Sequence, residues 1–357
     1  MKTIALQLKN LLVILLLLAG LFASAQTKQL PNIVILATGG TIAGAGASST
    51  GSAYTSGQVK IEAMIDAVPN IRDLANLRGE QIANVGSQDM NVKVWLDLAK
   101  RINELLATPG VDGIVITHGT DTQEETAYFL NLVVKSEKPV VLTGSMRPST
   151  ALSAEGPLNL YNAVAVAASP KAIGQGVLVV MNDEIHGAHN VKKIMTTPVQ
   201  TFQSPEEGPV GSVIFGQVDF FNKQNGRNTL NSEFSITGVT ALPRVDIFYG
   251  CADASADLID YMVKAGAKGI IIAGVGDGNM NAPTLEAVKK ATQQGVIVVR
   301  ASRVPIGMVL IQGEVNDAEY GTVSSDQLNP QKARVLLMLA LLKDRSREDL
   351  QQLFIQY

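Results

Sequence analysis

The chain has 357 residues, 46% of them apolar and only 17% charged, with 29 Lys plus Arg against 32 Asp plus Glu for a net charge of −3. That composition excludes a disordered or fibrous chain and disfavours a generally basic nucleic-acid binder, while the length suits roughly two domains. The single cysteine, Cys251, cannot form an internal disulfide and reads as a small packing residue; with only three histidines beside it, little remains for a zinc site of nitrogen and sulfur ligands.

The first residues have the layout of a secretory signal peptide. Lys2 and Lys9 give a positive start, Leu11 to Phe22 is an unbroken run of apolar residues and Gly, and Ala23-Ser24-Ala25 supplies small residues before Gln26. The run is shorter than the roughly 20 residues a spanning helix needs. Residues 1–25 therefore read as a cleaved leader, and the mature chain as exported and free of the membrane.

Beyond the leader, short β-branched runs alternate with helical stretches. Asn32 to Ala37 reads as a buried strand stopped by Gly39-Gly40, and Gln81 to Val85 as a weaker strand. Val94, Leu98, Ile102, Leu105 and Leu106 give helical spacing across 91–107, which Pro109-Gly110 ends. Gly113 to Thr117 is another strand, followed by a helix through Glu125, Phe129 and Val133; strands over 139–143 and 176–181 bracket a helix near 158–168. Residues 220–242 turn polar and lose helical period, as an interdomain linker would. Alternation then resumes with strands at 245–249, 269–273 and 296–300 and helices at 254–264, 284–293, 333–342 and 347–354. The pattern predicts two α/β domains. The larger, N-terminal one (30–220) has a mainly parallel sheet with helices on both faces, residues 221–243 link, and a smaller parallel α/β domain (244–357) follows.

Three polar loops follow three successive strands: Thr38-Gly39-Gly40-Thr41, Gly86-Ser87-Gln88-Asp89 and Thr117-His118-Gly119-Thr120-Asp121. Ligands of open α/β sheets bind beyond the carboxyl ends of the strands, so parallel strands would bring these loops to one crevice holding hydroxyls, a carboxylate and glycines that admit a ligand to the backbone. Taken singly each loop has a plainer explanation, a tight turn or a helix cap.

Thr38-Gly39-Gly40-Thr41-Ile42-Ala43 after its strand, and Ile116-Thr117-His118-Gly119-Thr120-Asp121-Thr122, resemble the two signature segments of bacterial L-asparaginases. With the leader, the chain is similar to the exported type II branch, which includes glutaminase-asparaginases. The resemblance runs from about Leu30 to Tyr357, through Met146-Arg147-Pro148-Ser149-Thr150 and Leu328-Asn329-Pro330-Gln331-Lys332 among other stretches. It implies a periplasmic hydrolase converting L-asparagine, with L-glutamine as a second amide, without metal or organic cofactor and without a nucleic-acid partner. It also implies a homotetramer built from two intimate dimers.

Residue by residue, the resemblance makes Thr41 the primary nucleophile and Tyr54, within Gly51 to Gly57, the tyrosine of a mobile lid. It makes Thr120, Asp121 and Lys193 a second cluster. Ser87, Gln88 and Asp121 would hold the α-carboxylate and α-amino ends of the substrate. Asn279 and Glu314 would come from the second domain of a neighbouring subunit.

The chemistry stands beside that match. A threonine hydroxyl needs a neighbouring base. Lys193 could act through Thr120 if burial favours its neutral form, and Tyr54 could relay a proton from Thr41 with Glu314 orienting the phenol. The backbone N–H of Gly40 or Thr120 could stabilise an oxyanion, and Asp121 with Glu314 would select a free ammonium. His118 is expected to fix its loop, and His186 and His189 to lie in a solvated loop. Gly274-Val275-Gly276-Asp277-Gly278-Asn279 fails as a dinucleotide loop, because Asn279 stands where the third glycine belongs. Two rival readings are an amino-acid-binding protein of the periplasm, which would have no use for two hydroxyl nucleophile candidates and a lysine, and a dinucleotide-dependent enzyme.

Overall fold

The first strand, β1 (Asn32–Gly39), shows why the larger sheet is buried on both sides. In the computed structural model, which describes residues 29–357 except Ser52, Val34 and Leu36 face one core and Ile33, Ile35 and Ala37 the other. A strand covered on both faces has no polar side to show, hence its continuous apolar run. The predicted leader lies outside the described residues.

β1 pairs in parallel with β2 (Asn76–Val85) on one side and with β3 (Gly113–Thr117) on the other; β4 (Val140–Thr143) and β5 (Val177–Met181) continue the parallel ladder. β2 begins five residues before the predicted strand. It is the edge strand, partly exposed along its length and carrying Asn76, Arg78, Glu80 and Gln81, so no apolar run announces it. Helices Val92–Leu106 and Gln123–Val133 cover one face, and Ile61–Asp66 and Gly156–Ala167 the other.

Past β5 the sheet turns antiparallel through β6 (Glu184–Gly187). A small separate ribbon follows, β7 (Lys192–Lys193) paired with β8 (Phe202–Gln203), and then β9 (Gly211–Ile214) and β10 (Gln217–Phe220) complete the sheet. The strand order is β10-β9-β6-β5-β4-β3-β1-β2.

The turn into β6 overturns one expectation. Asn182 and Asp183 both take positive φ (51° and 65°), the geometry of a two-residue hairpin turn, and fold the chain back onto β5. His186 thereby lands opposite Val179 and is fully buried, its Nδ1 3.0 Å from Ser204 Oγ and its Nε2 3.3 Å from Glu184. His189 is buried beside Asn190. Neither histidine lies in a solvated loop.

The second sheet, β11 (Val245–Tyr249), β12 (Gly269–Gly274), β13 (Ile297–Ser302) and β14 (Thr322–Ser324), is parallel throughout. Helices Asp257–Lys264 and Ala282–Gln293 carry the small core on one face through Ile259, Val288 and Ala291. On the other face helix Pro330–Ala340 packs against both this sheet and helix Gln123–Val133, so Ile271, Val299 and Leu336 join the core of the larger sheet. Between the sheets, residues 221–244 contain a single 3-10 turn, yet they are anchored: Lys135 Nζ donates to the carbonyls of Thr229 and Ser232, and the Phe234 ring meets that of Tyr357 at a tilt of 54°, centres 5.1 Å apart. Cys251 is exposed, not packed as expected. It falls in the turn after the edge strand β11, where no layer covers it.

Candidate functional site

Because β2, β1 and β3 are adjacent and parallel, the three polar loops leave the sheet side by side. Gly39 and Gly40 turn away at φ +110° and +82°, and a Cβ on Gly40 would lie 2.3 Å from the backbone nitrogen of Gly119. Only glycine allows that approach. Ser87 Oγ accepts the Asp121 N–H at 3.1 Å, Thr122 Oγ1 donates to the Ser87 carbonyl at 2.8 Å, and Thr38 Oγ1 donates to the Thr117 carbonyl at 2.9 Å. These hydroxyls tie loop to loop. The following helix is capped instead by Asn91, and Thr122 makes no side-chain cap.

A cleft of about 610 Å³ opens over these loops, lined among others by Thr41, Tyr54, Thr120, Asp121 and Lys193. Thr41 Oγ1 and Tyr54 Oη are 2.6 Å apart, and either can be the donor. Lys193 Nζ donates to Thr120 Oγ1 at 3.0 Å and to Asp121 Oδ1 at 2.6 Å. The ammonium is thus ion-paired, not isolated in an apolar pocket. Thr41 and Thr120 are only 6% and 5% exposed, and in the cleft lining each hydroxyl is held by its partner. The Tyr54 segment is held across the mouth by paired Ala45 and Thr55 backbones and by Leu152 N–H on the Ser49 carbonyl.

Lys193 reaches the cleft from the two-residue strand β7, too short to orient anything by itself. Its N–H donates to Glu124 Oε2 at 2.8 Å, and the neighbouring Lys192 is buried on Glu206. Lys332, wholly buried, donates to the carbonyls of His189 and Val191 at 2.7 and 2.5 Å. Burial lowers its ammonium pKa to about 7, with Glu124 opposing.

His118 is fully buried and all its polar atoms are used. Trp95 Nε1 donates to Thr126 Oγ1 at 2.8 Å, that hydroxyl lies 2.9 Å from His118 Nε2, and Nδ1 lies 2.6 Å from the Gly119 carbonyl. The chain of donors assigns a neutral ring with its proton on Nδ1. Burial brings its pKa down to about 4, the bond to Gly119 opposing. It anchors the loop.

Other predicted residues lie elsewhere. The Gly40 N–H is committed to the Val85 carbonyl at 3.1 Å, because the β1–β2 pairing continues into the loop, and it is not available as an oxyanion donor. Of the two N–H candidates Thr120 remains. Ser87 sits behind Gly119, and Gln88 is exposed with its amide 3.3 Å from Asp89. Asn279 and Glu314 bond to each other on loops of the second sheet and do not line the cleft of their own chain. Among the described residues no group of three or more His, Cys, Asp or Glu side chains is arranged to hold a metal.

Sequence reasoning missed the far wall: Met146, Arg147 and Leu152 on the turn after β4, with Thr196 and Thr197 beyond β7. It also missed Glu124, whose position in the first turn of a helix reads as a surface acid favoured by the helix dipole.

Comparison with known proteins bears on the same regions. The family model "Asparaginase, N-terminal" matches residues 32–226, and "Glutaminase/Asparaginase C-terminal domain" matches 244–354. The chain is 53% identical over 330 residues to a protein of Haemophilus influenzae named probable periplasmic L-asparaginase, covering 92% of this chain and 94% of the relative. It is 51% identical to L-asparaginase 2 of Escherichia coli, covering 94% and 95%. A glutaminase-asparaginase of Pseudomonas fluorescens is 48% identical, covering 93% and 92%. A solved structure titled as a probable cytoplasmic L-asparaginase of Campylobacter jejuni superposes with TM-score 0.89 at 46% identity, over 92% of this chain and all of the other. With both halves matched in order and the three loops built as they are, the chain belongs to the asparaginase family.

Proposed function

We propose that the chain is an exported amidohydrolase that converts L-asparagine to L-aspartate and ammonia, with L-glutamine as a second amide. The observation that carries this reading is the pairing of two threonine hydroxyls with proton-transfer partners in one cleft, Thr41 with Tyr54 and Thr120 with Lys193 and Asp121.

In the first step Thr41 Oγ1 attacks the side-chain carboxamide carbon while its proton passes to Tyr54 Oη and the phenol's own proton passes on to the departing nitrogen, so that Tyr54 relays one proton and ends the step neutral. The C–N bond then breaks, ammonia leaves with that proton, and a Thr41 ester remains. Water hydrolyses the ester in the second step, restoring the hydroxyl. The Thr120 N–H supplies an oxyanion contact, a role commonly worth about 2.7–4 kcal/mol per donor. Asp121 receives the substrate's ammonium. The substrate's carboxylate falls to Ser87, whose hydroxyl accepts the Asp121 N–H and keeps its own proton to donate, and to the Gln88 amide turned away from Asp89, although neither lines the cleft as it stands.

Asn279 and Glu314 complete the site of a neighbouring copy, in an intimate dimer that doubles to a tetramer. Support for this comes from their pairing away from the cleft of their own chain, with Glu314 on an exposed segment rich in apolar side chains (Val304, Ile306, Met308). Release to the periplasm fits the Lys2 to Ala25 leader and the name of the Haemophilus relative. The domain limits 30–220 and 244–357, with 221–243 between, belong to the same proposal.

The test is ammonia release from L-asparagine and L-glutamine, with kcat/KM for both. Side chains differing by one methylene are separated by about 1–3 kcal/mol at most, so the ratio is a measured quantity and not a deduction. A chain that binds L-asparagine without releasing ammonia is a binding protein, and the reading fails. An adduct trapped on Thr120 and none on Thr41 reverses the order of the threonines.

A further inference from the structure

Asn279 and Glu314 stand on two irregular loops, the second tied down at Val309, whose N–H donates to the Asp326 carbonyl at 2.9 Å and whose carbonyl accepts from Ser324 Oγ at 2.6 Å. The first is the tight turn Gly274–Asn279, closed by reciprocal Val275–Asn279 backbone bonds of 3.0 and 2.8 Å, with Gly276 and Gly278 at positive φ. The second is the irregular segment 303–316, which exposes Val304, Ile306, Met308, Leu310 and Ile311. A loop of that kind would not by itself keep a carboxylate in register with an amide on another loop.

Asp277 joins them. Its Oδ1 accepts the Leu310 N–H at 2.8 Å, and its Oδ2 lies 2.5 Å from where a Cβ on Gly313 would sit, so the carboxylate is pressed against the backbone next to Glu314. Beneath it, Arg300 is wholly buried and forked onto Asp317 at 2.7 and 2.8 Å. The same guanidinium donates to the carbonyls of Asp277 (3.1 Å) and Leu310 (2.9 Å), one on each loop. Asp317 in turn accepts the Gln312 N–H at 3.0 Å, and Ser302 Oγ donates to the Gly276 carbonyl at 2.6 Å. A guanidinium only donates and an ionised carboxylate only accepts, so each contact has one possible sense. Glu314 likewise fixes the Asn279 amide with Nδ2 toward itself. Asn279 Oδ1 is left buried without a partner among the described residues, an acceptor ready for an incoming donor.

We propose that Asp277, supported by the Arg300–Asp317 pair, is a positioning residue that presets the Asn279–Glu314 pair for capture of the substrate's amino-acid head; this rests on the reading that the pair completes a neighbouring site. Without the clasp, ordering of the stretch from Leu310 to Glu314, beyond the Val309 anchor, would fall to substrate binding. The defect belongs in KM, because Thr41 and Thr120 stand on other loops of the cleft.

The experiment compares kcat and KM for L-asparagine in the full-length parent, Asp277→Ala, Asp277→Asn, Gly313→Ala and Glu314→Gln, with melting temperature and oligomeric state measured on each. Asp277→Ala is expected to raise KM about 10- to 100-fold with kcat nearly unchanged. Asp277→Asn keeps an acceptor for the Leu310 N–H and should stay within about threefold of the parent. Gly313→Ala, which keeps the Asp277 carboxylate but displaces it from its seat, should follow Asp277→Ala. If Glu314→Gln raises KM and neither Asp277→Ala nor Gly313→Ala does, the clasp is refuted while the shared site stands. If Glu314→Gln also leaves KM unchanged, the shared site itself is wrong. A fall in kcat with KM unchanged, or an equal loss in Asp277→Asn, makes Asp277 merely structural and overturns the proposal.

Discussion

Replacing Tyr54 by Phe removes one oxygen and separates the chemistry from the fold. The phenol lies 2.6 Å from Thr41 Oγ1, while the ring is 40% exposed and packs over Gly44, where an added Cβ would come within 2.8 Å of it. Phe keeps that packing. The stability at stake is one hydrogen bond, about 0.5–1.5 kcal/mol net, a shift of only a few degrees in melting temperature for a unit of this size. The reaction is expected to lose far more. If Tyr54 takes the Thr41 proton in the acylation step, removing it should cost about 10²- to 10⁴-fold in kcat, or roughly 3–5 kcal/mol of barrier. Steady-state ammonia release measures kcat, and a melt on the same preparation measures the fold. The variant should melt within a few degrees of the parent, bind L-asparagine with little change and turn over at least about a hundredfold more slowly. A kcat within threefold of the parent would remove Tyr54 from proton transfer and leave its bond to Thr41 without catalytic meaning.

Thr41→Ala and Thr120→Val should each reduce kcat by more than about a thousandfold without loss of the folded state, checked by ammonia release and circular dichroism; turnover surviving in either removes that hydroxyl from the reaction. Glu124→Ala should lower kcat about a hundredfold with a smaller change in KM, since it frees the Lys193 N–H and leaves the substrate contacts in place; unchanged kinetics would mean that β7 holds Lys193 unaided. For His118 the folded pKa of about 4 lies below the ordinary 6.5, so the unfolded chain binds more protons between those values. Its contribution is therefore complete above pH 6.5 and lost as pH falls toward 4, by about 3 kcal/mol in all. Urea unfolding across that range should show a flatter pH slope in His118→Asn than in the parent, and equal slopes refute the assignment.

What could be read directly from the chain was whatever a short stretch of residues decides alone. The apolar runs at 33–37 and 113–117 must be buried on both faces, and Gly39-Gly40 permits a turn that no side chain tolerates. From parallel strands followed by polar loops, the meeting of Thr41, Thr120 and Asp121 at one sheet edge also follows. Tertiary structure decided what depends on a partner distant in sequence. β2 is longer than its residues suggest because an edge strand needs no apolar run, and the Gly40 N–H is lost to Val85 because the ladder extends past the strand's pattern. Lys193 is aimed into the cleft by Glu124, and through Lys332 by a helix that begins nearly 140 residues later. His186 is buried by a two-residue turn, and Cys251 is exposed by the end of a sheet. Local sequence settles which backbone shapes and which faces are affordable. Where a polar atom finds its partner is a property of the folded surface around it, and in this protein those partners come from across both sheets.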